Sequence, residues 1–342
     1  SALDDQTHLT KGLDLLKKLD PNNFILEWMK VLDSEQDFEE ITTVSSWFKK
    51  PMLIIGGLWD PHLRGALDLY KKSKDLGGDP EIIISNSSHL KWWKDSQKTL
   101  LNFFDRYLKD QENSKLFINK NKKIWNISLN KWESIENLPL NYEFGLESYG
   151  NANIEIEDGS LTINSKSSGF VSIVHDPWRP VPSDGGHLGK NPGLFNRNQI
   201  DKRLDVAVFQ THHMKENIHL SGIPTFHTSI ICDQESFDVC VSLSRIEEDQ
   251  NIITQFTTGF LRIKKSVKNA EQSYVIHFHP TNISIIKGNK LRLSISASAW
   301  PSIGVNPGNS DKNYGNTSID HQITTINFNL EKSIMKIAPY FK

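Results

Sequence analysis

The sequence predicts an α/β segment followed by an all-β domain. Three observations carry that prediction. Two continuous apolar runs alternate with amphipathic helical patterns between residues 51 and 108, the texture changes near residue 115, and short strand-like runs separated by Gly, Asn, Asp and Pro follow to the end. With 342 residues the chain can hold two domains and a sizeable core. Hydrophobic residues at 37% and charged residues at 23% are those of a globular protein. The formal charge of −2 leaves no basic surplus, which argues against nucleic acid and against a polybasic membrane contact. No apolar run reaches the roughly 20 residues of a membrane span.

Residues 3–48 read as helical. Leu9, Leu13, Leu16 and Leu19 fall at three- and four-residue spacing until Pro21, and Ile25, Trp28, Met29 and Leu32 share a second face. Met52-Leu53-Ile54-Ile55, closed by Gly56-Gly57, reads as a strand buried on both faces. Leu63 to Leu76 is an amphipathic helix with Leu63, Leu67 and Tyr70 inward, stopped by Gly77-Gly78. Glu81-Ile82-Ile83-Ile84 is a second buried strand. Trp92 to Leu108 is a second helix with Leu100, Phe103, Phe104 and Tyr107 as its stripe.

This βαβα unit holds two strands, fewer than a parallel sheet covered on both faces needs, so further strands are expected from elsewhere. The exposed edge of the first strand then calls for a cover, either the N-terminal helices or a second copy in a homo-oligomer. In the β part, runs are expected at Ile154–Ile156, Leu161–Ile163, Phe170–Val174, Val206–Phe209, Thr228–Cys232, Asp238–Leu243, Thr258–Lys264, Tyr274–Phe278, Lys290–Ser296 and Gln322–Asn329. Residues 176–200 are one long irregular loop.

Asp60 directly follows the first buried strand and His89 follows the second, 29 residues on. In open parallel sheets, function gathers at the carboxyl ends of the strands. A carboxylate there can fix an imidazole's tautomer, and the imidazole can deprotonate a hydroxyl nucleophile. Acid then histidine is also the later part of the α/β-hydrolase chain order. The plainer alternative is that Asp60 caps the next helix and His89 is a surface residue. Cys232 and Cys240 read as small buried hydrophobes. His277 and His279 alternate on one strand but lack a third ligand, and read as surface histidines. His212-His213 face opposite ways. Trp92-Trp93 reads as packing at a helix start, and Ser148-Tyr149-Gly150 as a loop. No metal and no cofactor is expected, since no Walker or dinucleotide glycine loop is present.

The segment Pro51 to Asp110 resembles the end of the catalytic domain in the hydrolase family of X-Pro dipeptidyl-peptidases, cocaine esterase and related acyl esterases. There a strand ends in Gly-Gly, an aromatic and the triad Asp, as Gly56-Gly57-Leu58-Trp59-Asp60 does, and the triad His follows the next strand, as His89 does. Further phrases extend the resemblance in order. They are Asp176-Pro177-Trp178-Arg179-Pro180-Val181-Pro182, Arg203-Leu204-Asp205-Val206, Phe237-Asp238-Val239-Cys240-Val241-Ser242-Leu243, Thr258-Gly259-Phe260-Leu261-Arg262, and Gly288 through Ser296 to Trp300-Pro301.

The resemblance implies a cap-helix remnant over 3–48, the C-terminal portion of an α/β-hydrolase domain over 49–112, and a jelly-roll, galactose-binding-like β-sandwich over 113–342. It implies Asp60 and His89 as catalytic residues, Trp59 as a substrate contact, and a peptide or ester as substrate. The family's Gly-x-Ser-Tyr-x-Gly serine elbow has no counterpart upstream of Asp60, so a missing N-terminal hydrolase half is the expected partner and the chain alone is expected to be inactive. Pro61-His62-Leu63 lacks the carboxylates by which the α-amino-ester hydrolases hold a substrate ammonium, which points away from that subgroup. The competing function is a jelly-roll binding module with a vestigial hydrolase segment. Low cysteine use, with no recognisable sorting signal, leans toward the cytoplasm.

Overall fold

The computed structural model describes residues 14–15, 18–20, 22, 44–109, 121–135, 141–152, 158–163, 167–247, 252–309 and 320–340. Of the helices expected over 3–48, residues 14, 15, 18 and 19 are α-helical and Ser45–Lys49 form a short 3-10 helix, while the stretch from Phe24 to Leu32 lies outside the described residues, as does the expected strand Ile154–Ile156.

The α/β part is β1 (Leu53–Trp59), α1 (Leu63–Asp75), β2 (Glu81–Ser88) and α2 (Ser96–Leu108). β1 runs parallel to β2 with Leu53 opposite Glu81 and Trp59 opposite Ser88. Ile82, Ile83 and Ile84 are fully buried, as a strand covered on both faces requires. α1 buries Leu63, Leu67 and Tyr70, the stripe its spacing predicts, whereas α2 leaves Leu101, Phe104 and Leu108 exposed and starts four residues later than expected, at Ser96.

The expectation of only two strands is corrected. β3 (Lys122–Asn126) pairs parallel with β2, and β4 (Lys131–Ser134) pairs antiparallel with β3, giving a four-stranded sheet in the order β1-β2-β3-β4. Glu81 locks this sheet from within. Its buried carboxylate takes Arg106 from α2 on one oxygen, and on the other the backbone N–H of Asn121 at 3.1 Å and its side-chain amide at 2.9 Å. The outer edge of β1 meets no strand among the described residues.

The remaining strands form one long sheet folded over a common core. They are β5 (Tyr142–Glu147), β6 (Ser160–Ile163), β7 (Phe170–His175), β8 (Phe195–Asn196), β9 (Val206–Gln210), β10 (Ile218–Cys232), β11 (Phe237–Ile246), β12 (Ile253–Ile263), β13 (Glu271–His277), β14 (Thr281–Ile285), β15 (Lys290–Ser296) and β16 (Thr324–Ala338). β10 and β16 are each 15 residues long and pair along most of their length, and Gly259 and Phe278 bridge β12 to the chain after β13. The result is a β-sandwich filled by Phe144, Phe209, Phe226, Phe237, Phe256 and Phe328.

β11 is buried on both faces, and the reason lies in the long loop. Val239, Val241 and Leu243 enter the core, while Cys240 and Ser242 face the chain after residue 176. That loop contributes Arg197 and Asp201, paired at 2.8 Å, with Arg292 on Asp201's other oxygen. Both cysteines are buried free thiols, and burial pushes Cys232 up to about 11.

The two sheets are joined by a polar seam. Asn126 at the end of β3 donates to Ser284 Oγ and to Glu133 Oε2, each at 3.0 Å, and the Ile127 N–H donates to Asn282 O at 2.9 Å. Asn282 returns a bond to Trp125 O at 3.2 Å.

Candidate active site

Asp60 and His89 meet because β1 and β2 are parallel and end level with each other, an irregularity after Gly57 taking up one extra residue of β2. Trp59 stands opposite Ser88, so the next residue of each strand leaves the sheet at the same level on neighbouring chains. His89 Nδ1 lies 3.3 Å from Asp60 Oδ1 and 3.2 Å from Oδ2. The Asp60 side chain is 15% exposed and the His89 side chain 57%, so the carboxylate is sheltered and the ring opens to the surface.

The local backbone aims the carboxylate. The Asp60 N–H donates to Gly57 O and the Leu63 N–H to Asp60 O, both at 3.0 Å, closing a tight turn into α1. Asp60 Oδ1 also accepts the His62 N–H at 2.9 Å, an Asx-type turn. Gly57 lets the strands approach here, since a Cβ at that position would lie 2.2 Å from the Ser87 carbonyl oxygen. On the other strand Ser85 and Ser87 share a hydroxyl contact of 2.5 Å beneath His89.

Trp59 is 5% exposed, and its indole N–H donates to Asn86 Oδ1 at 2.7 Å. Trp59, expected as a substrate contact, thus ties the end of β1 to the end of β2 through its ring. Trp92 is half-exposed and donates from its indole to His89 O at 3.2 Å, which anchors the loop that carries His89. Trp93 stacks edge-on against Trp132 of β4, and both tryptophans precede the helix, which starts at Ser96.

His62 is the residue that sequence reasoning passed over. Its ring centroid stands 5.0 Å from that of His89, at 61°. The signal available was Asp-x-His at the strand end, but convergence depends on the turn after β1, which spacing does not specify.

The other candidates fall elsewhere. His277 is exposed while His279 is buried, because the chain leaves the strand between them, so they do not share a face. His279 stacks on His187 with centroids 4.0 Å apart and is hydrogen-bonded to the backbone of Leu58, two residues before Asp60. Burial lowers His187 to about 4 and His279 well below the ordinary imidazole value. Ser148-Tyr149-Gly150 is a bend after β5, with Ser148 Oγ engaging its own loop and Tyr149 exposed, not a strand–turn–helix elbow. His213 contacts Gly288 O at 2.7 Å, away from the dyad.

Comparison with known proteins places the chain. A family model described as the X-Pro dipeptidyl-peptidase C-terminal non-catalytic domain matches residues 106–333, and one described as X-Pro dipeptidyl-peptidase (S15 family) matches residues 2–91. The second match spans both Asp60 and His89. No curated protein sequence matches the chain.

Among solved structures, an aminopeptidase from a marine sediment Thaumarchaeota archaeon is similar with a TM-score of 0.69 at 16% identity, over 84% of this chain and 54% of that one. An α-amino acid ester hydrolase matches with a TM-score of 0.69 at 17% identity, over 85% and 56%. A CocE/NonD family hydrolase from Staphylococcus aureus matches with a TM-score of 0.58 at 13% identity, over 84% and 54%. At these identities the likeness shows the fold. The chain spans a little over half the length of these relatives.

Proposed function

The chain belongs to the X-Pro dipeptidyl-peptidase family and carries its non-catalytic C-terminal domain, and from that premise we propose that Asp60 and His89 are the acid and base of a serine-hydrolase triad. The observation that carries this reading is the 3.2 Å approach of His89 Nδ1 to a carboxylate held by the turn after β1. With Nδ1 engaged, Nε2 is left to accept a proton from a serine hydroxyl supplied outside these 342 residues.

The serine attacks an ester or peptide carbonyl, and His89 passes its proton to the leaving group. The acyl-serine is then released to water by the same base. In this reading the chain by itself is inactive, and its partner is the N-terminal hydrolase half. Residues 3–48 are the tail of a cap, 49–112 the end of the hydrolase domain, and 113–342 a jelly roll. The β3–β4 arm of that jelly roll completes the hydrolase sheet, which fits a C-terminal-domain match that begins at residue 106. The buried Trp59 supports the site and leaves substrate contacts to the other half. The protein is read as cytoplasmic.

The test is hydrolysis of an X-Pro anilide and an aryl ester by the full-length protein. Asp60→Asn keeps an oxygen for the His62 N–H but loses the charge that orients His89, and a fall of about 10⁴-fold in kcat is expected. His89→Ala is expected to lose at least as much. Wild-type rates in both variants would refute the dyad.

A further inference from the structure

We propose that Asp60, His62 and His89 form a binding site for a divalent transition ion of the zinc type, whose occupation disables the Asp60–His89 pair. One ligand atom from each of the three side chains lies within 4.8 Å of those of the other two, and no other group of three such side chains comes together among the described residues. Two imidazoles and one carboxylate are a donor set that zinc accepts, with the fourth position left to water or substrate.

The spacing of these side chains also suits a shared metal ion. A charge-assisted N–H···O contact is usually about 2.7–2.9 Å. Here His89 Nδ1 stands 3.2 and 3.3 Å from the two Asp60 oxygens. Zinc bonds of about 2.0–2.1 Å in a tetrahedron place neighbouring ligand atoms about 3.3 Å apart. The carboxylate is fixed by the His62 N–H on Oδ1, which leaves Oδ2 for an ion. The His62 and His89 side chains sit at the surface and can rotate inward by the remaining ångström or so. The neighbouring cation Arg64 acts on His277 of the sandwich.

Coordination replaces the Asp60–His89 contact. The imidazole nitrogen that binds the ion gives up its proton, if it carries one, to water, and its lone pair forms the metal bond. A metal-bound His89 with its carboxylate also committed no longer serves as the serine's base. This consequence rests on the dyad reading given above; the binding itself does not.

Titration of Co²⁺ into the 342-residue chain tests the binding without reference to activity. One equivalent should produce the intense visible bands of four- or five-coordinate cobalt, and Zn²⁺ should abolish them by competition. His62→Ala and Asp60→Asn should each weaken binding by about tenfold or more, since loss even of a supporting residue costs that much at metal sites. His277→Ala should leave binding unchanged. A spectrum that stays that of aqueous cobalt overturns the proposal, and so does binding that survives His62→Ala but is lost in His277→Ala. In the full-length enzyme, Zn²⁺ should inhibit hydrolysis reversibly, and His62→Ala should reduce that sensitivity relative to its own metal-free rate. Cobalt bands together with hydrolysis indifferent to Zn²⁺ would keep the site and contradict the dyad as the seat of inhibition.

Discussion

At the scale of single residues, one carboxylate and two imidazoles are exposed to different degrees for physical reasons. Asp60 is sheltered by a turn that uses its own backbone and the His62 N–H, while His89 stands open at the end of β2. A second pair of imidazoles behaves in the opposite way. His187 and His279 stack at 4.0 Å between the sandwich and the Leu58 backbone, and burial holds both neutral, with His187 brought from 6.5 to about 4. The unfolded chain therefore binds protons at these sites before the folded one does. Stability should fall as the pH drops from about 6.5 toward about 4, by up to roughly 3 kcal/mol for His187 alone. Urea unfolding at a series of pH values checks this. His187→Phe should flatten the slope, and an unchanged slope would show that His187 is not its source.

At the scale of elements, the sheet delivers the site. β1 and β2 end level with each other, and Gly57 lets them close up just before Asp60 and His89. Gly57→Ala should push the strand ends apart, because the new Cβ would meet backbone rather than a movable side chain. A loss of about 1–3 kcal/mol is expected, read as a lowered Tm. Gly65→Ala, whose Cβ meets nothing within 4 Å, should show no such loss.

β1, α1 and β2 were legible in the sequence because their apolar runs and their 3.6-residue stripe are long and uninterrupted. β3 and β4 were not. Lys122-Lys123-Ile124-Trp125-Asn126 buries only Ile124 and Asn126, and the buried Asn is a partner that no hydropathy pattern reveals. β10 was legible only from Thr228 onward, because Gly222 and Pro224 read as breaks. In the fold Gly222 takes φ +148° against the Ala338 carbonyl, and Pro224 pairs with Ile337. Asp60 and His89 were legible because strand ends can be read from sequence. The approach of His62 was not, because it depends on a turn. His279 was misread as a surface residue because the end of β13, where the chain turns inward, is invisible in an alternating pattern.

At the scale of the whole molecule, the two sheets share a seam rather than a linker. Asn282, fully buried, holds Trp125 O and Glu133, and His219 stands 3.2 Å from the same carboxylate. The His279 bond to Leu58 makes a second tie close to the dyad. Unfolding followed by tryptophan fluorescence and by far-UV circular dichroism should therefore coincide. Asn282→Ala leaves the Trp125 carbonyl and Glu133 without this donor, and should cost about 1–3 kcal/mol while keeping the two transitions together. Separated transitions in the unaltered protein would mean that the sheets fold independently.

Asp60 and His89, as two members of a triad, need a serine from outside these residues. Labelling by a fluorophosphonate probe tests that most directly, with the full-length protein set beside the 342-residue chain. One labelled serine is expected in the full-length protein, with labelling that fails in its His89→Ala variant and a silent 342-residue chain. Labelling that persists without His89, or a full-length protein that takes no label while still hydrolysing substrate, would contradict it.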